Sequence, residues 1–129
     1  IQTSFILDSS KQLYRSGLLN KQVWKMTEML QCHPVLALRK KKIVPAAIFF
    51  GNTQDVYKKY IHAQMARWSP IDQKVLFITS AGCSKETKDM ILEEVQKYKK
   101  FDQIYMQEAS AAITSNCGAG CFGLIYMLQ

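Results

Sequence analysis

Short apolar runs bounded by polar residues predict the β-strands of this chain. Residues 35–38 and 43–50 are apolar, and the basic cluster 39–42 separates them. Two such runs joined by a short polar turn are typical of a β-hairpin. Residues 74–79 combine β-branched and aromatic side chains, which predicts a strand buried on both faces. Residues 1–7, which include the apolar set 5–7, predict a strand or an extended entry, 102–107 are strand-like, and the apolar run 123–128 predicts one more strand.

A helical spacing of apolar residues is clearest over 53–68. Asn52 or Thr53 can cap the N-terminus of this helix, and Ser69 with Pro70 ends it. The residues predicted to share its buried face are Val56, Tyr60 and Ala63.

Two other helices are predicted, one on each side of this segment. The first covers 20–30 and has apolar residues at helical spacing, namely Val23, Met26 and Leu30. The second begins at 84–87, and its inner face is predicted to carry Ile91, Leu92, Val95 and Tyr98. Residues 10–15 predict a short helical turn that Gly17 ends.

The alternation of strands and helices is typical of an α/β fold, in which helices pack on a central sheet. The hairpin over 35–50 makes that sheet mixed. No internal repeat or low-complexity tract divides the 129 residues. We therefore predict a single α/β domain over 1–129, with a central mixed β-sheet and packed helices.

Charge and hydropathy narrow the function classes. The net charge is +7, from 17 Lys and Arg against 10 Asp and Glu, which suits nucleic acid, an acidic membrane or an anionic ligand. The cluster 39–42 has two interpretations, a solvated hairpin turn and a phosphate-contacting patch. No apolar run approaches the roughly 20 residues that span a bilayer. We expect a soluble, cytoplasmic protein without a transmembrane segment, and we expect the chain, which begins at Ile1, to be a fragment or a processed piece.

The four cysteines are expected to be free thiols, because a chain of this size builds a core without a disulfide scaffold. Cys117 and Cys121 alone are close in sequence, and the two histidines, His33 and His62, lie far from them. That spacing does not support a zinc site. We therefore expect no metal and no cofactor.

Residues 118–123 spell G-x-G-x-x-G, a pattern associated with dinucleotide binding. That interpretation needs a helix after the motif and an acidic residue about 20 positions later. Only six residues follow Gly123, so we regard the match as accidental. The small polar residues 115–117 before this turn leave two alternatives open. The turn can present N–H groups to an anionic head group, or its glycines can serve chain geometry alone.

Catalytic residues are not evident in the sequence. Cys83 precedes a predicted helix, where the N-terminus could lower a thiol pKa, but no histidine is near it in sequence. No pair of carboxylates is placed for acid–base work. We therefore expect a binding protein and not an enzyme.

Four segments, in order, resemble the C-terminal half of the DegV family. The segment 112–124 is similar to the family's closing motif, which contains His-Thr-Gly-Pro-Gly. The segment 14–19 resembles its Leu-x-x-Gly-Gly-Arg-Ile segment, and 31–38 resembles its Asn-Ile-Lys-Pro-Ile-Leu strand entry. The basic turn with 43–45 falls at the family's hairpin. The resemblance covers essentially all 129 residues.

The resemblance implies a two-lobed α/β protein that binds a long-chain fatty acid, of which this chain is the C-terminal lobe. It implies a lipid head-group site at Ser115, Asn116, Cys117 and Gly118, with Leu18, Thr79 and Ser80 as further binding candidates. Three positions depart from the family. Asn116 stands for its histidine, Ala119 for its proline, and Leu18 for the arginine of Gly-Gly-Arg.

The implied partners are a long-chain fatty acid, a fatty acid kinase subunit, and the N-terminal lobe of the same protein. A homodimer is a further expectation, because a missing lobe leaves an apolar groove to be covered. The alternative is an interaction or structural lobe that has lost ligand binding and uses its basic surface for a protein or nucleic-acid partner.

Overall fold

The computed structural model describes residues 2–8, 14–15, 17, 20–29, 31–40, 42–66, 70–111 and 120–128. The strands within these ranges are β1 (Gln2–Ile6), β2 (Cys32–Arg39), β3 (Lys42–Phe50), β4 (Ile71–Ser80), β5 (Gln103–Glu108) and β6 (Phe122–Leu128). The helices are α1 (Lys21–Met29), α2 (Thr53–Met65) and α3 (Lys85–Tyr98). Most of the predicted turn over 10–15 lies outside the described residues, and residues 14 and 15 are helical.

The six strands form one mixed sheet in the order β3-β2-β1-β6-β4-β5. β2 and β3 pair antiparallel on either side of the basic turn, as the sequence predicts. β4 and β5 are parallel and are connected through α3. β6 returns antiparallel between β1 and β4. The predicted fold class, α/β with a central mixed sheet and packed helices, is confirmed.

α2 and α3 lie on one face of the sheet and form the main core with it. Both helices begin at side chains that satisfy free backbone N–H groups. Asn52 Oδ1 accepts a hydrogen bond from the Asp55 amide at 2.9 Å, and Ser84 Oγ accepts one from Thr87 at 3.1 Å. The buried core residues are Ile6, Val35, Val56, Tyr57, Tyr60, Ile61, Met65, Ile71, Leu76, Ile78, Ile91, Val95, Phe122, Leu124 and Tyr126.

A buried polar contact fixes α2 against the sheet. The Tyr60 hydroxyl donates to the Ser4 carbonyl oxygen at 3.1 Å and lies 2.6 Å from Ser4 Oγ. Burial raises the pKa of Tyr60, so this hydroxyl stays neutral. A satisfied hydroxyl in the core costs little and specifies one helix position.

Three predictions about buried faces are wrong. Ala63 on α2 is exposed although Val56 and Tyr60 on the same helix are buried. Tyr98 at the end of α3 is also exposed, and its ring contacts His62 instead of the core. Phe77 on β4 is 36% exposed, so the strand is not buried on both faces. The helices cover one face of this strand only.

The face of the sheet opposite α2 and α3 is called the outer face here, and its residues alternate with the core residues along each strand. Phe5 on β1 pairs with Gly123 on β6, and Thr3 pairs with Ile125. Gly123 then pairs with Thr79 on β4, and Ile125 pairs with Phe77. Two cross-strand rows therefore run side by side over the outer face.

Gly123 is required by close packing on this face. A Cβ atom at this position would overlap the ring of Phe5 and would lie 2.5 Å from the Ser4 carbonyl oxygen. The Phe5 ring therefore lies over a position that only glycine can occupy. This contact explains why a glycine interrupts an otherwise apolar strand.

Candidate functional site

Thr79 and Ser80 are the last two residues of β4, and both are buried. Thr79 lies on the outer face, where its Oγ1 accepts a hydrogen bond from Gln107 Nε2 at 2.9 Å. Ser80 lies on the helix side and pairs with Glu108 across the parallel strands. The carboxyl end of β4 thus carries polar groups on both faces of the sheet.

The predicted head-group residues, Ser115, Asn116, Cys117 and Gly118, lie outside the described residues, as does Leu18, the third of the further binding candidates. The residues that flank 112–119 are hydrogen-bonded to the end of β4. The Ala109 amide donates to the Ser80 carbonyl at 2.8 Å, and the Gly120 amide donates to Ala81 at 2.6 Å. Ala109 and Gly120 therefore lie at the carboxyl end of β4, beside Thr79 and Ser80.

Gly120 is held on its other side by α2. The Tyr57 hydroxyl donates to the Gly120 carbonyl oxygen at 2.6 Å. Burial, together with the Asp8 carboxylate, raises the pKa of Tyr57, so the hydroxyl remains a neutral donor. Gly120 has a φ of +89°, and a Cβ there would lie 3.2 Å from the Asp8 Cβ. This glycine serves chain geometry, one of the two alternatives for the glycine-rich turn.

A polar cavity of about 320 Å³ lies between the end of β1 and the start of α2, and it is lined by Asp8, Gln31, Cys32, His33, Gly51, Asn52 and Thr53. His33 is buried, and its two ring nitrogens each lie 3.0 Å from a backbone carbonyl oxygen, of Leu7 and of Gly51. The Asp8 carboxylate accepts a hydrogen bond from Thr53 Oγ1 at 3.1 Å. His33 thus ties together two chain segments. This role of His33 could not be predicted from the sequence, because its partners are backbone groups distant in sequence.

Cys83 lacks the surroundings of a nucleophile. Its sulfur donates towards the carbonyl oxygens of Gly120 and Cys121, at 3.6 and 3.4 Å. Burial raises the pKa of the thiol, which keeps it in the unreactive protonated form. Cys83 therefore belongs to the packing around Gly120.

A carboxylate and an ammonium group meet at the helix side of the same sheet end. Lys88 Nζ lies 2.9 Å from Glu108 Oε1. The nearby Lys88 ammonium group lowers the pKa of Glu108. Sequence reasoning missed this pair. The sequence contains only a weak indication of it. Glu108 directly follows the predicted strand 102–107, and Lys88 lies one turn into the helix that follows the predicted strand 74–79.

The outer face changes from polar to apolar away from this end. Thr79 and Gln107 lie nearest the end, and the stacked rings of Phe77 and Tyr105 follow, with centroids 5.3 Å apart. Tyr105 and Met127 are 46% and 47% exposed. An apolar surface of several adjacent strands, left uncovered, is typical of a binding or contact surface.

Within the described part of the chain, no three His, Cys, Asp or Glu side chains are grouped to hold a metal ion. None of the helices described is long and apolar enough to cross a membrane.

The mixed six-stranded sheet, with α2 and α3 packed on one face, is an α/β fold. The sequence model of the DegV family, described as an uncharacterised protein family, matches residues 1–129. The chain belongs to the DegV family, and the resemblance noted in its motifs is confirmed.

Solved DegV structures share the fold at low sequence identity. A DegV protein from Eubacterium eligens loaded with heptadecanoic acid has a TM-score of 0.72 and 14% identity, over 95% of this chain and 44% of that one. A fatty-acid-binding DegV protein from Thermus thermophilus gives 0.72 and 19%, over 98% and 45%. The fatty acid kinase B3 protein of Streptococcus pneumoniae, loaded with linoleic acid, gives 0.73 and 12%, over 99% and 44%.

The chain thus spans less than half the length of these structures, which agrees with the prediction of one lobe. A search of the curated proteins finds no match.

Proposed function

We propose that this chain is the lobe of a fatty-acid-binding protein whose outer face forms part of the wall around the acyl chain. The observation that carries the proposal is the outer face itself. Phe77, Tyr105, Ile125 and Met127 form an apolar surface that α2 and α3 leave uncovered, and it ends at the polar pair of Thr79 and Gln107. A fatty acid has the same two parts, a long apolar chain and one polar end.

The polar end of the ligand is assigned to the carboxyl end of β4. Thr79 lies there, and Ala109 and Gly120, which flank the 112–119 segment, are hydrogen-bonded to Ser80 and Ala81. We therefore propose that Ser115, Asn116, Cys117 and Gly118 contribute to the head-group site together with Thr79. Amide, hydroxyl and backbone N–H groups can all donate hydrogen bonds to a carboxylate.

Burial of the acyl chain contributes enough binding free energy to outweigh the departures from the family motif at this site. Burial of an acyl chain contributes about 0.8 kcal/mol per methylene, or about 10 kcal/mol for a long chain. Loss of one charge-assisted hydrogen bond, as when an uncharged Asn116 replaces a histidine, costs about 1.5–3 kcal/mol. Chain burial therefore outweighs the loss, and the substitution affects head-group selectivity more than binding itself.

The solved relatives support this assignment. Those from Eubacterium eligens and Streptococcus pneumoniae are described as loaded with heptadecanoic and linoleic acid. The second is a fatty acid kinase component, so we include in the proposal that the full protein presents its lipid to a kinase in the cytoplasm.

Several apolar side chains of the lobe are exposed to solvent. Met26 and Met29 on α1 are exposed, as is much of the outer face. We propose that an N-terminal lobe of the same protein covers these residues, and that a homodimer forms where that lobe is absent. The protein is proposed to be a carrier and not an enzyme.

Titration of the delipidated full-length protein with saturated fatty acids tests the proposal. We expect one molecule of palmitate to bind per protein. Each removal of two methylenes from the chain should weaken binding about tenfold, because about 0.8 kcal/mol is lost per methylene. Isothermal titration calorimetry with the C16, C14 and C12 acids measures this series. An affinity that does not depend on chain length would show that the acyl chain is not enclosed.

A further inference from the structure

His33 lies between two backbone carbonyl groups inside the protein. Its Nδ1 is 3.0 Å from the Leu7 carbonyl oxygen, and its Nε2 is 3.0 Å from the Gly51 carbonyl oxygen. We call these two contacts the His33 bridge. His33 is only 4% exposed, so its ring has little contact with bulk water. The bridge connects the residue that follows β1 with the residue that precedes the N-cap of α2.

The chemistry of the imidazole ring makes this bridge depend on a proton. Neutral imidazole has one N–H donor and one bare nitrogen that accepts, whereas the imidazolium ion has two N–H donors. A carbonyl oxygen can only accept a hydrogen bond. The neutral ring therefore donates to one of the two carbonyls and turns a lone pair towards the other. Only the protonated ring satisfies both carbonyl groups.

Titratable groups from β1, α2 and β2 surround the ring. Just after β1, the Asp8 carboxylate lines the same polar cavity as His33, and its charge favours a cation there. On α2, the Asp55 carboxylate lies in the first turn, and the neutral Tyr57 ring contacts the imidazole edge-on, with centroids 6.1 Å apart. On β2, the Cys32 thiol also lines the cavity, and no described lining residue is a lysine or an arginine. Burial and the positive end of α2, equivalent to about half a charge, act against the cation, so the proton is held reversibly.

The two segments that the bridge joins carry further contacts. Asp8 follows Leu7 and lies against Gly120, which flanks the 112–119 segment. Asn52 follows Gly51 and is the N-cap of α2. Loss of either half of the bridge therefore acts on the polar cavity and on one of these two contacts.

We infer that the His33 bridge is a pH-dependent connection between the end of β1 and the start of α2. In the protonated state the ring donates to both the Leu7 and the Gly51 carbonyls. Loss of the proton to solvent breaks one of these two hydrogen bonds, and the polar cavity between the segments widens. Imidazole changes charge between about pH 5 and pH 8, so the bridge closes and opens within that range. In the fatty-acid carrier, the open bridge loosens Asp8 at the head-group end, and this last step alone rests on the proposed function.

Solution NMR of the full-length protein tests the inference. We expect both ring nitrogens of His33 to carry hydrogen near the acidic end of the range from about pH 5 to pH 8, and one of them to be bare at the other end, which their ¹⁵N shifts distinguish. The signals are assigned by their absence in His33→Gln, whose side chain has one donor end and one acceptor end at every pH. The Asp8 and Asn52 amides belong to the peptide groups of the two accepting carbonyls. They should shift with the same midpoint as the ring in the wild type and stay fixed in the variant.

His62→Gln is the matched control, because His62 is the other histidine of the chain and is exposed on α2, where its ring contacts Tyr98. This variant should leave the responses of Asp8 and Asn52 unchanged. A His33 ring that keeps one charge state from about pH 5 to pH 8 overturns the inference. A response of the two amides that persists in His33→Gln overturns it as well.

Palmitate affinities separate the bridge from the proposed function. The ratio of the wild-type affinity to the His33→Gln affinity should change at least about fivefold across the same pH range, a usual size for coupling between two sites. The titration of the lipid itself cancels in this ratio. A wild-type protein that binds no palmitate overturns the proposed function and leaves the bridge standing. A constant ratio, with the NMR result as expected, overturns the link between the bridge and the head-group end.

Discussion

Replacement of Gly123 by alanine is expected to lower the free energy of unfolding by about 3 kcal/mol, the upper end of the usual cost of overpacking. The added methyl group would overlap the Phe5 ring and lie 2.5 Å from the Ser4 carbonyl oxygen. The backbone contact is the more serious one, because a central strand cannot move without disturbing both neighbours. Thermal unfolding followed by circular dichroism should show a drop in Tm of about 10 °C.

A second variant identifies the cause of this loss. Phe5→Ala removes the ring but leaves the Ser4 carbonyl in place, so the double variant should recover only part of the lost Tm. Full recovery would assign the whole effect to the ring. A Gly123→Ala protein as stable as the wild type would show that β1 and β6 are not packed as described.

Replacement of Phe77 by aspartate is expected to weaken palmitate binding by at least about 100-fold, or about 2.7 kcal/mol. Phe77 lies in the middle of the outer face, between Ile125 and Tyr105, and an acyl chain on that face would desolvate the new carboxylate. Because the ring is partly exposed and outside the main core, the fold should survive. Calorimetric titration of the full-length protein measures the affinity.

Tyr98→Asp is the matched control for this variant. Tyr98 is an aromatic residue of similar exposure, 39% against 36% for Phe77, but it lies at the end of α3 on the helix side. We expect unchanged palmitate binding for Tyr98→Asp. Equal loss in the two variants would mean that the effect is one of general destabilisation, and the outer face would lose its assigned role.

Much of the fold could be predicted because its signals are local. The run 74–79 lies inside β4, and the apolar segments around the basic cluster became β2 and β3. Asn52 and Ser84, both residues that favour N-caps, do begin α2 and α3. Such features depend on neighbouring residues only, and a single sequence contains them.

The wrong predictions concern the burial of side chains, which depends on tertiary packing. Ala63 and Tyr98 have the right helical spacing for the core, but both are exposed in the folded lobe. Phe77 is apolar like its neighbours, yet it is 36% exposed on the face opposite α2 and α3. A periodic pattern indicates which residues share a face and does not indicate how wide the opposing surface is.

The site could be predicted only in part for the same reason. Thr79 and Ser80 could be proposed from the family resemblance, and the structure places both at the carboxyl end of β4. Lys88 and Glu108 could not, because they meet only through the register of β4 with β5. The partners of His33 are likewise backbone carbonyls that the fold brings together.

Native mass spectrometry of the full-length protein, purified from bacteria without added lipid, shows whether the protein encloses an acyl chain. A protein that encloses an acyl chain should carry one from its host, since burial of about 14 methylenes at about 0.8 kcal/mol each makes release slow. We expect a mass increase equal to one long-chain fatty acid, lost on denaturation. A clean mass of the polypeptide alone, with no binding when palmitate is added, would contradict it.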